Sequence, residues 1–353
     1  MNLEERNVWQ QAAGDKDRNY VELCMRWGVI LNGPGRYGAW PQCTQLLQES
    51  GWGPRKITDL SRFAVQMKEG DIVLLRLGTS DIFGVGILVG NYLWDECFGD
   101  VDGWDLQHIR RVHWVWRNGK DSDHPLLKAW DLKQGDTTQL LRLSGPVYEW
   151  LKELDLDEDV PLSLPPLPLN TKNIVSVQDV SEYLFDRGVA SASIATLVDQ
   201  MDDLQRIAKW YSRVNQKPSE HETVAYLVIP LLRTLGWTPQ RMAVEWRSVD
   251  VALFETLPRS DDVLQVVVEA KKMSNSCLSA LGQAAAYAST RSSCKRLIVT
   301  DGLRYGIYIK HTDDVFRLHA YMNIQRLQGV SSIYECAGAP EALWAMTPEW
   351  RGR

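Results

Sequence analysis

Three residues late in the chain have the types and spacing for phosphodiester hydrolysis: Asp250 in Val249-Asp250-Val251-Ala252-Leu253, and Glu269 with Lys271 in Val266-Val267-Val268-Glu269-Ala270-Lys271. In a β-strand alternate side chains share a face, so Glu269 and Lys271 point the same way with Cα atoms roughly 6.5 Å apart. With Asp250 on a neighbouring strand, its carboxylate can join Glu269 and the Ala270 carbonyl around Mg²⁺, in an oxygen-only shell that leaves positions for water and phosphate. Lys271 would orient or deprotonate the attacking water and offset charge building on the phosphate. The same spacing also makes a plain edge salt bridge between Glu269 and Lys271.

The elements that must position these residues are legible around them. Ser219 followed by Glu222 matches a capping box, and Val224, Leu227, Val228, Leu231, Leu232 and Leu235 form an apolar stripe at helical spacing, ended by Gly236. Pro230 inside that helix predicts a kink near Tyr226, whose carbonyl loses its donor. Glu222 thus has a complete explanation as a cap residue beside any catalytic one. Alternation sets Val249, Val251 and Leu253 on one face of the first strand. On the second it sets Leu264, Val266, Val268 and Ala270 on the packed face, opposite Gln265, Val267, Glu269 and Lys271. Ala280 to Tyr287 is an alanine-rich helix with Gln283 and Tyr287 on one face. Lys295 to Thr300 and Arg304 to Lys310 read as strands joined through the Asp301-Gly302 turn.

With 353 residues, the chain is comfortable for two domains. Apolar content of 44% and charged content of 24% are those of an ordinary globular protein. No run of about 18 apolar residues occurs, and Met1-Asn2-Leu3-Glu4-Glu5-Arg6 lacks a signal pattern, so the expectation is no membrane span and a cytoplasmic address. The six cysteines are scattered without paired spacing, which speaks against a zinc site or a disulfide framework. A net charge of -6 does not advertise a nucleic-acid binder. Local basic clusters at Arg110-Arg111, Arg117 with Lys120, Lys271-Lys272 and Lys295-Arg296 could still face a backbone, or be solvated faces.

A boundary falls at the proline-rich stretch Val160 to Leu169, preceded by the acidic run Asp155 to Asp159, which reads as an extended interdomain spacer. After it, Val177 to Val214 shows helical spacing with a break near Arg187-Gly188, predicting two helices that form a connector or a subunit contact. Upstream, Asp71 to Leu77, Phe83 to Gly90 and Arg111 to Trp116 read as strands, and Pro41 to Glu49 as a short helix. Few helices and several short strands there suggest a small, partly closed β-barrel.

The segment from Ser219 to Lys310 resembles the PD-(D/E)xK nuclease superfamily, most closely the nuclease domain at the start of type I restriction-enzyme motor subunits. The resemblance rests on Glu220-His221-Glu222-Thr223, Ile229-Pro230-Leu231-Leu232 with Leu235-Gly236-Trp237, Val249 to Leu253, Val268-Glu269-Ala270-Lys271-Lys272, Gln283 with Tyr287, and Val299-Thr300-Asp301-Gly302. It implies Asp250 and Glu269 as metal ligands, Lys271 as catalytic lysine, Glu222 as accessory acid, and Gln283 and Tyr287 as DNA or active-site positioning residues. The chain lacks a GxxxxGK[ST] phosphate loop, so no ATP-driven motor is expected in it.

A nuclease needs a specificity element, and residues from Val21 to Arg117 resemble, less strongly, the EVE and YTH branch of PUA-like β-barrels. The resemblance lies in Trp27 to Asn32, Met67 to Leu74, Phe83 to Tyr92 and Arg110 to Trp116. Such barrels imply an aromatic pocket for a modified base, flipped from the stack in duplex DNA. Among fifteen tryptophans, Trp114 and Trp116 fit a core. Trp40, Trp94 and Trp104 sit where loops carry recognition, and Asn32, Asp95 or Asp102 could read a base edge. Arg110, Arg111 and Lys272 are the candidates for the DNA backbone.

The expected architecture is therefore an α+β, EVE-like barrel domain (1–155), a proline-rich linker (156–176), a helical connector (177–215) and an α/β PD-(D/E)xK domain (216–353). The expected activity is that of a Mg²⁺-dependent, type IV modification-dependent endonuclease acting in phage defence on double-stranded DNA with modified cytosine. Double-strand breaks by one-strand cores imply a homodimer or two molecules meeting on DNA. Rival readings are a non-catalytic modified-nucleic-acid binder and an RNA-directed or ligand-activated nuclease.

Overall fold

The computed structural model describes residues 5–15, 17–78, 82–118, 135–141, 144–154, 164–169, 173–214 and 216–352. It divides into two units, Met1–Asn170 and Thr171–Arg353. The acidic run Asp155 to Asp159, the start of the proline-rich stretch and Lys120 lie outside the described residues.

The first unit is a mixed α/β body. In chain order it contains β1 (Val8–Ala12), β2 (Gly14–Asp15), β3 (Arg18–Asn19), α1 (Val21–Trp27), β4 (Val29–Asn32), α2 (Cys43–Glu49) and α3 (Pro54–Ser61). Then come β5 (Ile72–Arg76), β6 (Ile82–Trp94), β7 (His108–Arg117), β8 (Thr138–Leu140) and α4 (Pro146–Glu153). Six strands pair in the order β4-β7-β6-β5-β1-β8, parallel only between β1 and β5. The apolar run Ile72 to Leu75 is buried on both faces. The indole of Trp114 donates to the Cys24 carbonyl of α1 at 3.1 Å, and Trp116 packs edge-on against Trp150 of α4, so both tryptophans are core as their strand positions suggest. Gly86 makes room for Trp114: a Cβ there would stand 2.3 Å from Val112 and 2.8 Å from the Trp114 ring.

Among the described residues the ladder of this sheet does not close, and β4 and β8 are its two ends. Side chains tie those ends instead. Asn32 donates to Thr138 Oγ1 (3.0 Å) and Asp59 Oδ2 (3.1 Å), Asp59 accepts the Thr138 N–H (2.6 Å), and Gln11 of β1 donates to the Leu31 carbonyl (2.7 Å). Lys56 completes the seam, donating to both Asn32 and Asp59 at 2.8 Å.

The described end of the proline-rich stretch does not stand free as a spacer. Pro165 accepts from the Arg111 guanidinium and Pro168 from the Cys97 thiol, so this segment is strapped to the first unit.

The second unit is a three-layer α/β sandwich. Its helices are α5 (Val177–Asp186), α6 (Ser191–Arg213), α7 (Glu220–Thr223), α8 (Ile229–Thr234), α9 (Leu281–Ala288) and α10 (Ala339–Ala345). Its strands are β9 (Met242–Trp246), β10 (Val249–Phe254), β11 (Leu264–Ala270), β12 (Arg296–Thr300), β13 (Arg304–Lys310), β14 (Phe316–Asn323), β15 (Val330–Ser331) and β16 (Cys336–Ala337). They form one sheet in the order β15-β16-β14-β13-β12-β11-β10-β9, with β11 and β12 parallel. The helix pair 177–215 is not a separate connector. Val180, Leu184, Leu197, Met201 and Leu204 join Leu231, Val251, Val268 and Ala342 in a single core on one face. The alanines of α9 cover the other face, where their small side chains let the helix approach Val267, Leu297 and Val299.

Around Tyr226, where Pro230 predicts a kink, the helix takes a π-helical turn over Val224–Val228 before running on into α8. One local expectation is corrected. Val249 and Leu264 pack on the α9 face rather than with Val251 and Val266. The tight Arg247-Ser248 turn, with φ of 47° and 72°, and an irregularity at Leu253/Phe254 break the simple alternation.

At the far edge of this sheet, His319 is the extra residue of a bulge between the Ile307–Ala320 and Tyr308–Leu318 pairs. The bulge turns its ring to Glu341 (2.6 Å), whose carboxylate also accepts the Tyr183 hydroxyl, so one cluster pins β14, α10 and α5 together.

Candidate active site

The pairing of Val251 with Val268 sets Asp250 of β10 across the ladder from Glu269 of β11. Asp250 is half-buried and its Oδ2 accepts the Ala270 N–H at 2.7 Å, which fixes the carboxylate against the end of β11. Glu269 is 1% exposed. Its Oε1 lies 3.3 Å from Lys271 Nζ, and its Oε2 is buried with no protein partner. Burial first, then the neighbouring Asp250 charge, push the Glu269 carboxyl up to about 7 against the opposing pull of Lys271.

Lys271 extends the β11–β12 ladder, its backbone N–H donating to the Thr300 carbonyl at 2.7 Å. Its ammonium also donates to Gln283 Oε1 at 2.8 Å, and Gln283 in turn donates to the Tyr287 hydroxyl at 3.2 Å. Glu269, Lys271, Gln283 and Tyr287 are therefore one hydrogen-bonded chain from strand to α9, built on the strand alternation and the i, i+4 spacing seen in the sequence. Lys272 follows, exposed.

Glu222 is committed elsewhere. It is exposed and closes the capping box with Ser219, accepting its N–H at 2.7 Å, and that backbone contact holds its carboxyl below the usual range. The acid of α7 whose charge reaches Glu269 is Glu220, half-buried two residues earlier. Its only sequence signal was its place in the Glu-His-Glu run. Gly302 brings α7 to the strand ends: at φ +83°, it packs where a Cβ would stand 2.7 Å from Thr223 and 2.8 Å from Leu227. On the other side of Asp250, Glu245 takes φ +52°, a strained conformation for a residue other than glycine, and faces His221 at 3.6 Å. Among the described residues, no three His, Cys, Asp or Glu side chains cluster as a metal cage.

The candidates in the first unit separate. Asn32 is buried with its amide fully engaged in the seam, its Oδ1 also accepting the Gly33 N–H. Asp95 caps a turn through the Cys97 N–H at 2.9 Å. Trp104 packs edge-on against Tyr20, with the Arg18 guanidinium 4.3 Å over its ring. Arg110 is buried and donates to the carbonyls of Phe63, Met67 and Gly90, and Arg111 to those of Gly28 and Pro165. These carbonyls take both Nη groups of Arg110 and the Nε–Nη2 edge of Arg111. Arg296 is likewise buried, against Ala345 and Thr347 carbonyls.

Trp40 and Trp94 do come to one region. Trp94, 37% exposed, donates to the Gly35 carbonyl (2.9 Å), and the Trp40 N–H donates to the Tyr92 hydroxyl (3.0 Å). Tyr37 and Trp52 join them. The Tyr37 hydroxyl accepts from Trp52 at 3.4 Å and from Arg36 at 3.2 Å, and Trp52 is 36% exposed.

Residues 9–140 of the chain match a family model described as a domain of unknown function, DUF8426. That match spans the six-stranded sheet, from β1 to the end of β8. No curated protein matches the chain. Among the described residues, no helix is long and apolar enough to cross a membrane.

Proposed function

We propose that the second unit is a PD-(D/E)xK-type endonuclease acting on double-stranded DNA, and the first an EVE-like, PUA-like reader of modified cytosine. Together they would make a type IV modification-dependent restriction enzyme of the cytoplasm. The observation that carries this reading is the unpartnered, buried Oε2 of Glu269 beside Asp250. A buried carboxylate oxygen without a donor is costly, and a hard cation placed between two carboxylates and the Ala270 carbonyl would supply what it lacks.

Asp250, Glu269 and the Ala270 carbonyl suit Mg²⁺, which commonly takes one or two carboxylates and keeps several waters. When bound, Mg²⁺ would supply Lewis-acid activation of water and phosphate. Lys271 holds its ammonium beside Glu269 and, steadied by Gln283, can orient a water and offset negative charge on the phosphate. Tyr287 holds Gln283. Glu220 adds negative potential at the end of the strands, and Lys272 offers an exposed cation for the DNA backbone. In the first unit, the half-exposed Tyr37, Trp40, Trp52 and Trp94 with Arg36 form an aromatic and basic surface on which a base can stack.

The test is cleavage of unmodified, 5-methylcytosine, 5-hydroxymethylcytosine and glucosylated plasmid with and without Mg²⁺. Wild type cuts modified DNA, and Glu269→Ala, Asp250→Ala and Lys271→Ala bind it without cutting. Cleavage retained by Glu269→Ala would remove the site assignment, and equal cutting of every substrate would remove the reader.

A further inference from the structure

The helices α5 and α6 meet in an open groove of about 570 Å³, a size typical of clefts that accept a ligand or anchoring side chains. Their other faces are spent: Val180, Leu184, Leu197 and Met201 go into the core. The groove floor is apolar, made by Phe185, Ile194 and Val198, and of these Phe185 is 66% exposed and Val198 40% exposed. The rim is acidic. Among the described residues, Glu182, Asp186 and Asp199 line it, and no lysine, arginine or histidine does.

That charge pattern selects the occupant. Nucleic acid is repelled by the rim, because its phosphates need cations. A second copy presenting the same groove would set three acids against three acids, and like charges facing each other across an interface are disfavoured. An apolar floor between acidic rims complements a polypeptide whose apolar face is flanked by lysine or arginine, the helix-in-groove mode of recognition. We propose that the α5–α6 groove docks a basic, amphipathic segment of a partner protein, with Phe185 and Val198 meeting its apolar side chains and Glu182, Asp186 and Asp199 its cations. This site is independent of the nuclease reading, and its readout is binding alone.

The test uses the full chain and three synthetic twelve-residue peptides: an amphipathic leucine–lysine helix, the same composition scrambled to remove amphipathicity, and a leucine–glutamate counterpart. Titration calorimetry should show binding of the first only, weakened at least tenfold in Phe185→Ser and in Asp199→Lys. Both substituted side chains are exposed, so unchanged thermal midpoints separate lost docking from lost folding. No binding of the leucine–lysine peptide, equal binding of the scrambled or glutamate peptide, or indifference to Phe185→Ser overturns the proposal. So does a dimer in sedimentation velocity that Phe185→Ser converts to monomer, since the groove would then be filled by a second copy.

Discussion

Lys271 reaches back along its own strand to place its ammonium 3.3 Å from the Glu269 carboxylate, yet satisfies only one of the two carboxylate oxygens. This half-made ion pair is where the two readings of the spacing part. A surface salt bridge would be solvated on both sides, whereas here the acid is buried and the lysine is shared with Gln283 on α9.

The cost of that burial gives a pH signature. Glu269 titrates at about 7 in the folded chain against 4.5 ordinarily. The folded state therefore holds a proton that the unfolded state has lost, and stability falls as pH rises from 4.5 through 7, by up to about 3 kcal/mol. Without metal, urea midpoints should drop between pH 5 and pH 8, and Glu269→Gln should flatten the drop. A wild-type midpoint that rises across that range would contradict the assignment.

Glu220 and Glu222 should separate cleanly. Glu222→Ala removes the N3 half of the Ser219 capping box and should lower stability slightly while leaving the Glu269 titration in place. Glu220→Gln should leave stability nearly unchanged but lower the Glu269 pKa, because a repelling charge is gone. Carboxyl titration by NMR distinguishes them, and the reverse pattern would restore Glu222 to the site.

On the first unit, Trp52→Ala and Trp94→Ala should each weaken binding of modified DNA by about 1–3 kcal/mol without shifting the thermal midpoint. Arg110→Ala should do the opposite, losing several kcal/mol of stability because the Phe63 and Met67 carbonyls lose a buried donor. Fluorescence anisotropy beside a melting curve reads both.

The His319–Glu341–Tyr183 cluster predicts an acid limb. Burial pushes the Glu341 carboxyl up, but His319, Tyr183 and Arg187 outweigh it and hold it below its ordinary range. Its contribution is present above the unfolded pKa and lost as pH falls through the folded one. Glu341→Gln should lower stability at neutral pH by about 2 kcal/mol and blunt the loss in acid. Identical acid limbs in chemical denaturation would refute this.

The site trio and the helix–strand order around it were legible because strand alternation and i, i+4 spacing are local. The fates of Arg110, Arg111 and Asn32 were not. Each answers to groups distant in sequence, such as the Phe63 and Met67 carbonyls, Pro165, or Asp59 and Thr138, and nothing local marks an arginine as the donor to a distant loop. The helices 177–215 were found, break included, but their membership in the second core depended on partners as far off as Ala342. Glu222 looked catalytic because capping and catalysis ask for the same residue at the same place.

The tie between β4 and β8 is made of separate links. A backbone ladder opens only by unzipping, each broken pair exposing the next, whereas Asn32, Asp59, Thr138 and Gln11 hold by individual bonds between buried side chains. The two ends of the sheet are thus tied beside Lys56 by side chains alone, so a substitution at Asn32 or Asp59 would part β4 from β8 while leaving every backbone ladder intact.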